Sequence, residues 1–286
     1  KISFDLGVPK TAAPQLAGRM APEPRDAAPP GGAIETLSAW AAAPGVIWAG
    51  TNNGLIQVTR DGGKTWSDVS VPDLPNAAHA DVETIDTSHL DAATAYVAID
   101  LHTSGDYAPH LYRTHDFGKT WTRIVTGLPT DEPSGSFARV IRSDPRKAGL
   151  LFAGTESAMY VSFDDGDHWQ SLQLNLPNTS YRDMAFHGND LIVGTYGRGI
   201  WVLDDYAVLR QLSPAIAQEP AHLFKPDDVT RLRRNVGADT PFPPEVPHTL
   251  NPPDGAIIYY ALSARPSGDI TLDVLDAAGT VVRHFS

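Results

Sequence analysis

One eight-residue phrase occurs three times, and its recurrence constrains the fold more than anything else in the chain. The copies are Thr59-Arg60-Asp61-Gly62-Gly63-Lys64-Thr65-Trp66, Thr114-His115-Asp116-Phe117-Gly118-Lys119-Thr120-Trp121 and Ser162-Phe163-Asp164-Asp165-Gly166-Asp167-His168-Trp169. The shared frame is hydroxyl, x, Asp, x, Gly, x, x, Trp. Internal self-similarity means that one supersecondary unit is repeated and stacked. The frame itself is turn chemistry. Its Asp can accept backbone N–H bonds from the residues that follow, its Gly can take positive φ, and its Trp supplies an apolar anchor beyond the turn. Each copy follows a short β run, at 55–58, 110–113 and 159–161, so each reads as a hairpin turn pinned by its own Asp and Trp.

The frame resembles the Asp box, or bacterial neuraminidase repeat, of β-propellers such as sialidases, some xyloglucanases and the sortilin ectodomain. In those proteins the box joins the third and fourth strands of a blade and usually lies on the face away from the active site. The resemblance implies that Asp61, Gly63 and Trp66, Asp116, Gly118 and Trp121, and Asp164, Gly166 and Trp169 are structural. Against it stands a reading of the three Asp as catalytic carboxylates or metal ligands. The resemblance identifies a fold far better than an activity.

Strand-like runs group around the boxes. They fall at 34–37, 46–49, 55–58 and after Trp66; at 82–85, 95–99, 110–113 and 122–125; at 137–141, 150–153, 159–161 and 170–174; and at 184–186, 191–193 and 200–203. Each unit is close to four short strands, the content of a propeller blade. Three second strands end alike, Ala49-Gly50-Thr51, Ala153-Gly154-Thr155 and Val193-Gly194-Thr195. Where the fourth unit would carry a box it has Leu203-Asp204-Asp205-Tyr206, without the Gly and Trp, so the array is expected to terminate there.

The expected class is therefore all-β: four blades over 1–206, a Pro-rich linker over 207–254, and the first strands of an immunoglobulin-like sandwich over 255–286. Within the first region, 7–31 is a Pro- and Ala-rich loop. Residues 1–6 resemble the strand after a box Trp, or are an unrelated terminal strand. In the last region, runs at 257–262, 270–274 and 281–285 surround a turn at 276–279. Four blades leave sheet edges open, so further blades from the same protein or from a second chain are expected to complete the ring.

Composition narrows the function classes. The formal charge of −12 argues against nucleic-acid and anionic-membrane partners. With no Cys, disulfides, thiolate metal sites and cysteine nucleophiles are excluded. No apolar run approaches a membrane span. No cofactor or metal is indicated.

The order of boxes, then 194–205, then Leu209-Arg210-Gln211-Leu212 and a sandwich start, is similar to large bacterial proteins labelled as glycosyl hydrolases with neuraminidase repeats, or as sortilin-N-terminal-like proteins. The likeness is to the C-terminal part of their propeller region. It implies a periplasmic or extracellular location and no specific substrate.

Alternation of antiparallel strands puts the boxes on one face and the 2–3 loops on the other, where propeller ligand sites usually lie. The longest 2–3 loop holds His102, Asp106, Tyr107 and His110. His102, Asp106 and His110 could bind a divalent metal or act in acid–base chemistry, although their spacing matches no established metal motif. The loop could equally be a solvated or substrate-contacting segment. Arg139, Glu156, Tyr181, Arg182, Tyr196 and Arg198 belong to the same face. Arg could grip a substrate carboxylate as a fork, and Tyr could stack on a sugar. Alternatively, Arg182 and Arg198 pair with neighbouring acids to lock blades. A sialidase needs three convergent Arg, a Tyr assisted by Glu, and an acid. Other glycosidases need two carboxylates about 5–10 Å apart. The leading expectation is an exported recognition or scaffold module binding glycan or peptide on the face opposite the boxes. The alternative is a glycoside hydrolase, sialidase-like or endo-glucanase-like, whose active site is shared with blades absent from this chain.

Overall fold

The computed structural model describes residues 3, 5–8, 31–39, 44–130, 135–229, 243, 245 and 255–286. The chain divides into two compact units, 1–203 and 204–286. Most of the loop expected at 7–31, and much of the linker expected at 207–254, lies outside the described residues.

The first unit is built from four antiparallel meanders. Blade 1 is β1 (Ile34–Ala39), β2 (Ile47–Thr51), β3 (Ile56–Thr59) and β4 (Ser67–Asp68). Blade 2 is β5 (Asp81–Thr87), β6 (Ala95–Asp100), β7 (His110–Thr114) and β8 (Thr122–Arg123). Blade 3 is β9 (Ala138–Ser143), β10 (Leu151–Thr155), β11 (Met159–Ser162) and β12 (Gln170–Ser171). Blade 4 has three strands, β13 (Tyr181–His187), β14 (Asp190–Thr195) and β15 (Ile200–Leu203). The first strands β1, β5, β9 and β13 pack side by side and form the inner edge of the array. Every residue of β6 and β10 is buried, because those sheets are covered on both faces. This is why they read as unbroken apolar runs rather than alternating ones. In β14 only Leu191 and Val193 are buried, as expected for a sheet covered on one face.

The boxes have the local geometry their residues dictate. Asp61 Oδ1 accepts the Thr65 N–H at 2.9 Å and Oδ2 the Thr65 hydroxyl at 2.6 Å, while Thr59 Oγ1 accepts the Gly63 N–H at 2.9 Å. Asp116 and Asp164 repeat the pattern with Thr120 and His168. The box also ties each blade to the one before it. Trp121 Nε1 donates to the Val69 carbonyl at 2.7 Å and Trp169 Nε1 to the Ile124 carbonyl at 2.8 Å. Each such bond contributes about 1 kcal/mol net. Gly166 has φ +88° and lies so close to blade 2 that a Cβ would stand 2.6 Å from Ile124 Cδ1. At the other end of the array Leu6 is buried against Ala49 and Trp66. Residues 5–8 form a turn rather than the expected strand, while positions 1, 2 and 4 lie outside the described residues.

In the second unit β16 (Ala221–Leu223) pairs with β17 (Tyr260–Leu262), and β18 (Leu272–Leu275) with β19 (Val281–Phe285). The three runs expected to open one sandwich therefore do not share a sheet. The linker strand β16 supplies the hydrogen-bonding edge for β17, extended by Phe224 N–H to the Tyr259 carbonyl at 3.0 Å. The expected turn at 276–279 is present, with Asp276 Oδ1 accepting the N–H groups of Ala278 and Thr280.

Candidate functional site

Register brings out a feature that repeats in all four blades. Each first strand carries a β-bulge near its start, and the residues skipped by the pairing are Glu35, Glu83, Arg139 and Arg182. A bulge re-aims a side chain, and bulges concentrate next to functional sites. Aligning the second strands through their third-strand partners gives an equivalent second position. Thr51, Ile99, Thr155 and Thr195 correspond, and the residues after them are Asn52, Asp100, Glu156 and Tyr196. Both positions lie at the end of the blade opposite the boxes. Each blade thus contributes two side chains to one rim: Glu35 and Asn52, Glu83 and Asp100, Arg139 and Glu156, Arg182 and Tyr196.

Arg139 is the hub of that rim. Its Nη1 lies 2.5 Å from Glu83 Oε1 and 2.8 Å from Asp100 Oδ2, and its Nε 2.9 Å from Glu156 Oε2. Its guanidinium rests 4.5 Å from the Phe137 ring centroid. Burial works against its charge, but the Glu156 hydrogen bond and the charges of Asp100 and Glu83 outweigh it and raise its pKa. Glu156 Oε2 also accepts the Ser180 hydroxyl at 2.7 Å and stands 4.0 Å from Arg182. Burial, with the charges of Glu83, Asp100 and Glu35, raises the Asp81 carboxyl beside this cluster. The arrangement excludes the anion-gripping fork expected of Arg139, because three carboxylates of the chain already meet its charge.

The 2–3 loop of blade 2 does not assemble a metal triad. His102 Nδ1 pairs with Asp100 Oδ2 at 2.5 Å, and His110 Nε2 pairs separately with Asp106 Oδ2 at 2.9 Å. Among the described residues no three His, Cys, Asp or Glu side chains could hold a metal ion. His110 is buried, and burial lowers its pKa. Burial opposes ionisation of Asp106, but the Ala108 N–H and His110 outweigh it and lower its pKa. These two residues staple the loop. Tyr107 stays exposed, edge-on to Phe137, while His102 stacks on Phe137 at 4.9 Å and 15°.

Tyr181, expected on the binding face, is instead a core residue. It is fully buried, donates its hydroxyl to the Pro177 carbonyl, and packs on Gly154, where a Cβ would stand 2.7 Å from its own. Arg182 lies over the ring of Tyr196, which is 71% exposed, and Arg198 is exposed nearby in sequence. Reasoning from residue type missed Glu35, Glu83 and Phe137. The signal that finds Glu35 and Glu83 is the alignment of 34–37, 82–85, 138–141 and 181–184, where a charged residue follows the first residue of each segment.

The box face carries a cleft of about 510 Å³ between blades 2 and 3. Its polar groups serve the blade interface. His115 bridges Thr94 and Asp165, each at 2.9 Å, and Tyr96 donates to Asp165 at 2.6 Å. Arg113 adds an ion pair to Asp167 at 2.8 Å.

The family model of the BNR/Asp-box repeat matches residues 57–68, the turn that holds Asp61 and Trp66. The chain carries Asp-box repeats, and its residues 34–203 form a run of antiparallel blades around them. No curated protein matches it. Among solved structures it is similar to YCF48 from Cyanidioschyzon merolae, at 18% identity and TM-score 0.43, over 61% of this chain and 54% of that one. It is similar to the GH74 xyloglucanase from Xanthomonas campestris at 18% identity and TM-score 0.42, over 55% and 25%. It is also similar to the extracellular domain of the one component system BT4673 from B. thetaiotaomicron at 16% identity and TM-score 0.45, over 63% and 22%. The Asp-box chain therefore spans about half or less of these relatives. Among the described residues no helix is long and apolar enough to cross a membrane.

Proposed function

We propose that these Asp-box blades form an exported recognition module that binds a glycan or peptide on the face opposite the boxes. The observation that carries this reading is the repeated bulge, which in four successive blades turns a charged side chain out of the sheet at that one face. Exposed Tyr107 and Tyr196 add flat contact area beside it. Binding is favoured over hydrolysis because Glu83 and Glu156, the rim carboxylates nearest each other in role, both close on one guanidinium. A glycosidase instead needs two carboxylates free to act on either side of a bond. The strands of 255–286 we propose to open an immunoglobulin-like sandwich, with 221–223 paired to its first strand.

The test is a glycan and peptide array probed with the parent chain, with Tyr196→Ala plus Arg182→Ala, and with Lys147→Ala on the box face. Loss of binding in the rim double variant, with the Lys147 variant unchanged, supports the reading. Binding that survives the rim substitutions and is lost with Lys147→Ala places recognition on the other face.

A further inference from the structure

We infer that the rim takes an uncharged, hydroxyl-rich ligand, a neutral glycan, with His102 Nε2 accepting a hydrogen from one of its hydroxyls. This deepens, and rests on, the recognition reading above.

The side chain of Asp100 is fully buried. One carboxylate oxygen accepts the His102 backbone N–H at 2.8 Å and the other faces His102 Nδ1 at 2.5 Å. A carboxylate only accepts, so Nδ1 carries the hydrogen; in the neutral form of the ring Nε2 is then an acceptor. Stacking on Phe137 fixes the ring plane, and the side chain is 34% exposed, which leaves it within a ligand's reach. Two further acceptors accompany it. Glu83 and Glu156 bind Arg139 through Oε1 and Oε2 respectively, and their second oxygens have no partner among the described residues. The rim therefore offers acceptors, and it selects a ligand rich in donors.

Charge decides which donors. Two of the places an incoming cation would take, over the rings of Phe137 and Tyr196, are filled by the chain's own guanidinium groups. Arg139 lies over Phe137 and Arg182 over Tyr196. A ligand ammonium would lie against those two cations. An incoming anion would meet Glu83, Asp100 and Glu156, which already answer the charge of Arg139. Hydroxyl groups supply hydrogens without net charge, and the exposed faces of Tyr107 and Tyr196 suit the C–H face of a sugar ring.

The test uses the whole chain on an array of neutral oligosaccharides, sialylated and uronate-containing oligosaccharides, and lysine-rich peptides. Binding to neutral oligosaccharides is expected, falling about tenfold in His102→Ala, the equivalent of one hydrogen bond, and partly restored in His102→Gln, which keeps an acceptor. Preference for the acidic oligosaccharides or the peptides overturns the inference. So does neutral-glycan binding that is lost in Tyr196→Ala yet unchanged in His102→Ala, an outcome that leaves the recognition reading standing. Binding to nothing on the array overturns both. A ligand-free readout accompanies these arms: ¹⁵N NMR of the His102 ring should show hydrogen on Nδ1 and none on Nε2, and the opposite tautomer refutes the assignment.

Discussion

Replacing Arg139 by Met removes the cation from among Glu83, Asp100 and Glu156 while keeping an unbranched stem on Phe137. The cost follows from exposure. The side chains of Arg139 and Asp100 are 7% and 0% exposed, so Asp100 cannot turn to water when its partner is lost. Glu83 and Glu156, at 29% and 27%, can rehydrate. Breaking a buried pair from one side costs about 3–5 kcal/mol, against about 0–1 kcal/mol for an exposed pair. Nearly all the loss is therefore assigned to Asp100. With a urea slope of about 1–3 kcal/mol per molar, the unfolding midpoint should fall by at least about 1 M at pH 7. The sign of the pH dependence is also fixed. Burial, with the charges of Glu83 and Asp100, already raises Asp81; without the guanidinium the buried Asp100 carboxylate is uncompensated, so the folded variant binds protons more tightly than the unfolded chain. Stability then rises as pH falls, and the deficit measured at pH 5 should be smaller than at pH 7. Adding Asp100→Asn removes the stranded charge and should restore more than half of the midpoint. A variant whose midpoint stays near that of the parent, or whose deficit grows on acidification, refutes the buried-hub account.

Two further outcomes test the box. Gly166→Ala combines a left-handed backbone with the clash against Ile124, about 1–2 and 1–3 kcal/mol respectively. Gly188→Ala, at φ +64° with nothing within 4 Å, carries only the first term; equal losses in urea melts would show that close blade approach contributes nothing. The hydrogen bonds from Thr65 hold the Asp61 carboxyl at about 2, and those from Thr120 hold Asp116 at about 2. A depressed carboxylate stabilises above its unfolded value of about 3.9 and loses that contribution as pH falls through about 2. The acid limb of the thermal midpoint between about pH 4 and 2 should be less steep in Asp116→Asn than in the parent; an identical acid limb in that variant would sink the staple account.

The boxes were legible because their bonds are local. Asp61 reaches Thr59 and Thr65, two and four residues away, so the phrase carries its own structure. Strand ends were less legible. The runs expected at 122–125 and 170–174 shorten to the two-residue strands β8 and β12. The chain leaves the sheet once each box Trp has been anchored to the previous blade. The run 257–262 reads as a strand from its apolar and aromatic residues, yet only 260–262 pairs, its partner, 221–223, lies across the linker, and nothing in the segment itself names that partner.

The rim shows where reading by residue type stops. The His102 pairing with Asp100 spans two residues and lies within one segment. The counter-charges of Arg139 come from 17, 39 and 56 residues away, two of them from the preceding blade. Taken alone, an Arg on a ligand-facing surface looks like an anion receptor. Only the superposition of the four first strands shows that the preceding blade places Glu83 at the position equivalent to Arg139. In a repeat array the neighbour of a residue is set by its place in the repeat, so the repeat alignment, rather than local spacing, reports which charges are already spent. Glu35 is exposed at that same position in blade 1, and the residue at that position in the following blade is Glu83, a carboxylate where Glu83 itself meets the guanidinium of Arg139. By the pattern that joins Arg139 to Glu83, Glu35 is the rim carboxylate left most open to a ligand's donors.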